Sequence, residues 1–241
     1  MKKILKGIMG LFGYTLVKKE FLSYLKAPRN DLSGGFGWLK SYQIKTVLDI
    51  GANEGQFAHK VLKALPDVEL HCFEPLPEAY EKLRQDLVDK KNVRTHPFAL
   101  GEANTSADIH LNAYSASSSF LALGTTHKTN FETALEVQTV QVPIRKLDDI
   151  AADLDLKENL FIKIDVQGFE DKVIRGGMNT IRKAKIIMLE LTFEELYVGQ
   201  PLFDDIYKLM RELGFSYHGN VEQLESKDGR FLQADGVFIR N

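Results

Sequence analysis

Short apolar runs alternate with amphipathic stretches from Thr46 onward. The apolar runs predict strands at Thr46–Ile50, Val68–Phe73, Val93–Ala99, Leu160–Val166 and Ile186–Leu191. Helical spacing predicts helices at Asn53–Leu65, Pro77–Lys90, Phe169–Ala184 and Phe203–Leu213. Phe215–His218 and Gly236–Arg240 are predicted to form a terminal hairpin. Continuous apolar strands between helices are typical of a parallel sheet buried on both faces, so the pattern predicts an α/β fold.

The stretch Ala113–Leu135 breaks this alternation, because it is crowded with serine and threonine and has weak periodicity. Such a segment is either a binding loop or a mobile surface insertion, and the residues favour neither. If it binds, Ser118 and His127 are its candidate substrate contacts.

The N-terminal segment Met1–Lys26 has an apolar stripe at helical spacing, interleaved with lysines. Residues 1–45 carry a formal charge of +7, and the remaining residues carry −9. We expect an amphipathic helix packed on the body, with peripheral membrane contact through residues 1–26 or a signal peptide as alternatives. The predicted organisation is an N-terminal extension over 1–45 and one Rossmann-like domain over 46–241.

Composition excludes several classes of protein. Hydrophobic residues make up 44% of the 241 residues and charged residues 27%, which are globular values. Cys72 is the one cysteine, so an internal disulfide and a thiolate zinc site are excluded. One thiol fits a reducing compartment, and we expect a cytoplasmic protein, membrane-associated if residues 1–26 bind lipid. The acidic body lacks the basic face of a nucleic-acid binder.

The turn after the first strand reads Asp-Ile-Gly-Ala-Asn-Glu-Gly over residues 49–55. A glycine turn between strand and helix is where cofactors bind in doubly wound sheets, which makes Gly51, Asn53 and Gly55 candidates. The paired glycines of the dinucleotide motif are missing, and Asp49 would repel a pyrophosphate. The same carboxylate suits an ammonium group, directly or through water, and S-adenosylmethionine has one and no phosphate.

Glu74 ends the second predicted strand, in Phe-Glu-Pro, 25 residues after Asp49. An acid at this position commonly accepts hydrogen bonds from ribose hydroxyls, which would serve either NAD or S-adenosylmethionine. The alternative is a loop charge without a ligand.

Four ordered motifs together resemble the FkbM family of methyltransferases. They are Asp-Ile-Gly-Ala-Asn-Glu-Gly, Phe-Glu-Pro, Ala-Leu-Gly at 99–101 and Ile-Asp-Val-Gln-Gly-Phe-Glu at 164–170. The resemblance implies the class I methyltransferase fold, with a seven-stranded, mostly parallel sheet and helices on both faces. It also implies S-adenosylmethionine as cofactor, O-methylation of a sugar, glycoconjugate or secondary-metabolite hydroxyl, and Leu100 beside the adenine. Gln167 departs from the family, which often has Glu there.

Two carboxylates end neighbouring predicted strands, Asp165 and Glu190. Asp165 is the candidate catalytic residue on the acceptor side, although an aspartate there can also cap the next helix. Glu190 is a candidate substrate contact. The pair could also bind Mg²⁺, but no third ligand is evident, so no metal is predicted. Glu170 is expected to pair with Lys172 or Arg175 on the helix surface or to act in the site.

Two other functions stay open on the sequence. A nicotinamide-dependent oxidoreductase would use the same fold, although Asp49 and the missing glycine pair disfavour it. A catalytically silent binding protein would keep the fold and the cofactor without turnover.

Overall fold

The structure is a computed structural model that describes residues 35–112, 115–131 and 136–240. Its strands are β1 (Thr46–Ile50), β2 (Glu69–Phe73), β3 (Val93–His96), β4 (Ala99–Leu100), β5 (Thr105–Asn112), β6 (Glu136–Arg145), β7 (Leu160–Ile164), β8 (Ala184–Thr192), β9 (Phe215–Glu225) and β10 (Phe231–Arg240). Its α-helices are α1 (Gln56–Ala64), α2 (Pro77–Asp86), α3 (Thr125–Asn130), α4 (Leu147–Ile150), α5 (Glu170–Gly176), α6 (Met178–Ile181) and α7 (Phe203–Glu212). Short 3-10 helices cover Phe36–Tyr42, Ser115–Ser117 and Ala151–Leu154.

The main sheet has seven strands in the order β3-β2-β1-β7-β8-β10-β9, as the resemblance implied. Pairing is parallel from β3 to β8, and β10 runs antiparallel to both β8 and β9. The chain winds outward from β1 in one direction and from β7 in the other. This switch point opens a crevice at the carboxyl ends of β1 and β7, which is where ligands bind in such sheets.

The sheet is buried on both faces because its central strands are apolar at every second position on each side. On one face, Leu48 and Ile162 pack with Val173 of α5 and Met210 of α7. On the other face, apolar side chains of β1 and β7 pack with those of α1 and α2: Val47, Phe57, Ala58, Val61, Leu83 and Phe161. The predicted helices on both faces are therefore present.

Several predicted element boundaries differ from the structure, and three of these differences have local reasons. The first helix begins at Gln56, not at Asn53, because Asn53 and Gly55 adopt left-handed backbone angles, with φ 46° and 95°. The third strand ends at His96, where the chain leaves the main sheet, and Ala99–Leu100 pairs with β6. The helix expected over Phe169–Ala184 is two short helices with Gly177 between them.

A second sheet of three strands, β4-β6-β5, was not predicted. The sequence of β5, Thr-Ser-Ala-Asp-Ile-His-Leu-Asn, is mostly polar, and Ile109 and Asn112 are its buried side chains. The predicted terminal hairpin is present, but its strands are longer than expected. The strand β5 was missed because a surface strand needs few apolar residues.

The segment before β1 contributes to the core. Phe36 and Leu39 face inward from the 3-10 helix at a spacing of three residues, and Leu39 is fully buried. The packed structure thus includes part of the predicted extension. The predicted amphipathic helix Met1–Lys26, with its membrane-contact and signal-peptide alternatives, lies outside the described residues. Within the described ranges, no helix is long and apolar enough to cross a membrane.

Replacing Leu39 with alanine tests whether the segment before β1 belongs to the core. We expect the free energy of unfolding to fall by about 2–5 kcal/mol, because the side chain leaves a cavity in a packed site. Urea denaturation measures the change, with Val88→Ala as the control, since Val88 is 69% exposed. A loss for Leu39→Ala no larger than that of the control would contradict this packing.

Candidate active site

A cavity of about 390 Å³ opens at the carboxyl ends of β1, β2 and β7, where the strand order switches. Six of the candidate residues line it: Gly51, Asn53, Glu74, Leu100, Ser118 and Asp165. The other four candidates, Asp49, Gly55, His127 and Glu190, do not line it. The cavity continues toward the carboxyl-terminal half of β8 and the amino-terminal half of the antiparallel β10, where Lys60, Met188, Glu222 and Asp235 form its wall.

The turn after β1 is shaped by two glycines. Gly51 has φ +82°, and a Cβ at this position would lie 1.8 Å from the carbonyl oxygen of Asp165, so no side chain fits. Gly55 has φ +95°, and its Cβ would lie 3.0 Å from Leu83 of α2. These contacts bring the ends of β1 and β7 together. Gly55 acts through this turn geometry, because it lies behind the cavity wall.

The backbone amides of this turn already have partners within the protein. The amides of Gly51 and Ala52 both donate to the carbonyl of Phe73, at 3.1 and 3.0 Å. The Asn53 amide donates to the Glu74 carboxylate, and the Gly55 amide donates to the carbonyl of Ala52. A pyrophosphate group is bound by free amides at such a turn. These four amides are therefore not available to a phosphate.

Glu74 is buried at the end of β2 and holds the turn in place. Its Oε2 accepts the Asn53 amide and its Oε1 accepts the Leu76 amide, each at 2.8 Å. Burial raises the pKa of Glu74 to about 7, against the two amide donors, which favour the charged form. Each carboxylate oxygen can accept a second hydrogen bond, and Glu74 lines the cavity, so a ligand there can donate to it.

The serine-rich segment supplies part of the cavity wall. Ser115 donates a hydrogen bond to the side chain of Asn53 at 3.3 Å, which joins the segment to the β1 turn. Ser118 is buried and accepts the Asn112 amide at 3.2 Å. Opposite them, Leu100 is buried at the start of the second sheet and gives the cavity an apolar side.

A buried lysine joins the two central strands. Lys163 Nζ lies 3.5 Å from Asp49 Oδ1 and 3.2 Å from Asp165 Oδ2, and it lies 3.4 Å from the Gly51 carbonyl. Burial works against the charge of Lys163, but the Asp165 and Asp49 carboxylates outweigh it and raise its pKa. Burial raises the pKa of Asp49 to about 6, although Lys163 opposes this shift.

Lys163 changes the interpretation of Asp49. The Asp49 side chain is fully buried, and its nearest cation in the described part of the chain is Lys163. Lys163 lines the cavity and Asp49 does not. Direct contact between Asp49 and a cofactor ammonium is therefore not supported by this geometry, and the water-mediated contact remains a prediction. Lys163 was not singled out from the sequence. Its signal was a charged residue within the apolar run Leu-Phe-Ile-Lys-Ile.

Gln167 lies between the two candidate carboxylates. Its Nε2 donates to Asp165 Oδ1 at 2.8 Å and to the Glu190 carboxyl at 3.0 and 3.1 Å. Its Oε1 accepts the hydroxyl of Tyr197 at 2.7 Å. The structure thus brings Asp165 and Glu190 together through Gln167. This residue was noted in the sequence only because the family often has Glu at the position. Tyr197 had no sequence signal, because its partners are far away along the chain.

Two further residues, Glu170 and His127, are buried in the structure. Glu170 is buried and accepts the amides of Val166 and Gly168, at 3.0 and 3.2 Å, so it orders the loop after β7 instead of pairing on the surface. His127 is buried between the rings of Phe131 and Tyr197, with centroid distances of 4.8 and 5.3 Å. His127 does not line the cavity, and its role as a substrate contact stays a prediction.

No group of three or more metal-ligating side chains suited to a metal ion occurs among the residues that the structure describes. Asp165, which lines the cavity, and Glu190 instead share the amide of Gln167.

The raised pKa of Glu74 predicts how stability depends on pH. Glu74 titrates at about 7 in the folded protein and near 4.5 ordinarily, so between these values the folded state holds a proton that the unfolded state releases. Stability should therefore fall as pH rises through this window, by up to about 3 kcal/mol from this group. Glu74→Gln should remove that part of the slope.

Urea denaturation from pH 4.5 to pH 8 measures this slope. Glu212→Gln, at an exposed position of α7, is the matched control. The same slope in wild type and Glu74→Gln would contradict the assignment.

The family profile and the curated relatives that match this chain are all methyltransferases. The family profile described as "Methyltransferase FkbM domain" matches residues 49–217. The 2-O-methyltransferase NoeI of Sinorhizobium fredii is 31% identical over 160 residues, covering 64% of this chain and 66% of the relative. The hexuronic acid methyltransferase AglP of Haloferax volcanii is 24% identical over 143 residues, covering 59% and 54%. The chain thus spans between half and two thirds of the length of these relatives.

Among solved structures, the chain is similar to magnesium protoporphyrin IX methyltransferase from Synechocystis with bound S-adenosylmethionine. The sequence identity is 11%, the TM-score is 0.46, and the match covers 85% of this chain and 75% of that chain.

Proposed function

The chain belongs to the FkbM methyltransferase domain family, and on that premise we propose that it transfers a methyl group from S-adenosylmethionine to a hydroxyl oxygen of a sugar or glycoconjugate. The observation that carries this proposal is the composition of the cavity wall. A lone carboxylate at the end of β2, an opposite-charge pair at the end of β7 and occupied amides at the β1 turn suit this cofactor better than a dinucleotide.

The residues present fit S-adenosylmethionine. Glu74 would accept hydrogen bonds from the ribose hydroxyls, as an acid at this strand end commonly does. Leu100 would border the adenine. Lys163 lines the cavity, and its ammonium group suits the carboxylate at the amino-acid end of the cofactor.

The same wall disfavours the nicotinamide alternative. Four amides of the β1 turn, those of Gly51, Ala52, Asn53 and Gly55, donate within the protein, and the turn has no basic side chain over residues 51–55 that could replace them. A pyrophosphate would also lie near the carboxylate of Glu74. These features support the methyltransferase over the oxidoreductase.

The reaction needs a base and an oriented hydroxyl. When bound, S-adenosylmethionine supplies a methyl group on a cationic sulfur: the acceptor oxygen forms the new bond to carbon, and the electron pair of the carbon–sulfur bond stays on sulfur. We assign Asp165 as the group that accepts the hydroxyl proton, because it lines the cavity and its carboxylate is held from two sides. Holding the reactants in line supplies much of the remaining catalysis.

A hydroxyl-rich acceptor fits the far end of the cavity. Asp235 and Glu222 offer carboxylate oxygens there, and Lys60 offers a donor 3.3 Å from Glu222. Ser118 adds a hydroxyl on the opposite wall. The 2-O-methyltransferase and the hexuronic acid methyltransferase among the relatives support a sugar-like acceptor.

Calorimetry tests the cofactor assignment. We expect S-adenosylmethionine to bind and NAD not to bind. Glu74→Ala should weaken binding of S-adenosylmethionine by about 1.5–3 kcal/mol, the range for a hydrogen bond to a charged group. Glu212→Gln is the surface control, and thermal unfolding verifies that each variant is folded. An unchanged affinity in folded Glu74→Ala would contradict the role of Glu74.

Methyl transfer tests the reaction. Labelled S-adenosylmethionine is offered with a panel of sugar nucleotides, uronic acids and glycolipids, and transfer of label to a hydroxyl is measured. Asp165→Asn should lower kcat by about 10²–10⁴-fold, the usual contribution of a general base. Its affinity for S-adenosylmethionine should change much less. Cofactor binding by wild type without transfer to any acceptor would favour the silent binding protein.

A further inference from the structure

Three carboxylates lie in one row across neighbouring strands. Asp165 follows β7, where Ile164 is in register with Leu189 of β8. Glu190 on β8 is in register with Asp235 on β10. The row therefore places Asp165, Glu190 and Asp235 side by side, with Asp165 and Asp235 lining the cavity and Glu190 between them behind its wall. Neighbouring carboxylates repel one another, so they do not all ionise with equal ease.

The amide of Gln167 connects the first two carboxylates of this row. An amide nitrogen has two hydrogens, and those of Gln167 are used on Asp165 Oδ1 and on the Glu190 carboxyl. The amide oxygen accepts the Tyr197 hydroxyl, and Tyr197 is fully buried. These contacts fix which end of the amide faces the carboxylates.

The backbone of Gln167 is held as firmly as its side chain. The residue has φ 55°, a left-handed conformation that costs a side-chain-bearing residue energy. Its carbonyl accepts the Ser119 hydroxyl at 2.6 Å. The amides on either side, of Val166 and Gly168, both donate to buried Glu170. These contacts fix the position of Gln167. A surface residue without a role would not require such a fixed backbone.

The two carboxyls that share the amide have different surroundings. Asp165 has the Lys163 ammonium 3.2 Å from its second oxygen. Glu190 has no cation within ion-pair distance in the described part of the chain. Burial first, and then the charges of Asp165, Glu170 and Asp235, raise the pKa of Glu190 well above its usual range. The other groups that face the cluster are Asp49 on β1, Tyr197 after β8, and Glu222 on β9 and Lys60 on α1, which face Asp235.

We propose that Gln167 is a positioning residue: its amide holds the Asp165 carboxyl group toward the acceptor hydroxyl and links it to Glu190, which keeps a proton. The amide donates to both carboxyls, but Lys163 lies beside Asp165 alone. This inference rests on the proposed function for the role of the acceptor. The protonation of Glu190 does not depend on an acceptor.

Replacing the amide with a carboxyl of the same size, Gln167→Glu, tests the proposal. The variant puts a third acid between Asp165 and Glu190, so the titration midpoint of Glu190 should move further upward by about one pH unit or more. Carbon-detected NMR of ¹³C-labelled carboxyl groups follows this titration in the full chain without acceptor. Glu190→Gln identifies the signal.

In wild type, Glu190 should titrate well above the ordinary range of a glutamate. An ordinary midpoint, or one that Gln167→Glu leaves unchanged, would overturn the proposal. Should Gln167→Glu fail to fold, Tyr197→Phe is the second variant, because it removes the hydroxyl that orients the amide and adds no charge. It should shift the midpoint of Glu190 upward by a smaller amount, and no shift would overturn the proposal. If Glu190 titrates as expected but no acceptor is methylated, the proposed function fails and the arrangement around Gln167 stands.

Discussion

The site depends on the buried ammonium of Lys163. A charge inside a protein is stable only with partners of opposite charge or hydrogen-bond acceptors, and removing one such partner typically costs about 3–5 kcal/mol. Asp49 on β1, Asp165 after β7 and the Gly51 carbonyl supply those partners. The ammonium therefore links the two central strands at the point where their order switches. It also orients the carboxylate that we place beside the acceptor.

This constraint explains the shape of the cavity. Gly51 approaches the Asp165 carbonyl so closely that no side chain fits, which leaves the backbone exposed to a ligand. Leu100 and Glu74 form one end of the cavity wall, and the carboxylates near Asp235 form the other end. The end with Leu100 and Glu74 offers the apolar surface and hydrogen bonds that a nucleoside cofactor would require. The end with the carboxylates offers acceptors for the hydroxyls of a sugar.

The sequence predicted those parts of the fold and site whose signals are local. The strand Thr46–Ile50, its glycine turn and Glu74 at the end of β2 are read from adjacent residues, and the structure places Gly51 and Glu74 at the cavity. The polar strand β5 and the full hairpin could not be predicted, because their stability comes from pairing with distant strands. Tyr197 reaches the site across 30 residues of chain through a loop.

Other residues have surroundings that the sequence did not indicate. Glu170 was expected either to pair with Lys172 or Arg175 on the helix surface or to act in the site, and the loop after β7 turns it inward to bind two amides. Asp49 was predicted to suit a cofactor ammonium, and the structure shows Lys163, on the neighbouring strand β7, beside it. Neighbours across a sheet cannot be paired from one sequence without the strand order and register.

A crystal structure of the chain with S-adenosylmethionine bound would test the account most directly. The account predicts electron density for the cofactor in the cavity at the carboxyl ends of β1, β2 and β7, with its ribose hydroxyls on the Glu74 carboxylate and its methyl group toward Asp165. Cofactor bound away from this cavity, or in it with the ribose remote from Glu74, would contradict the account.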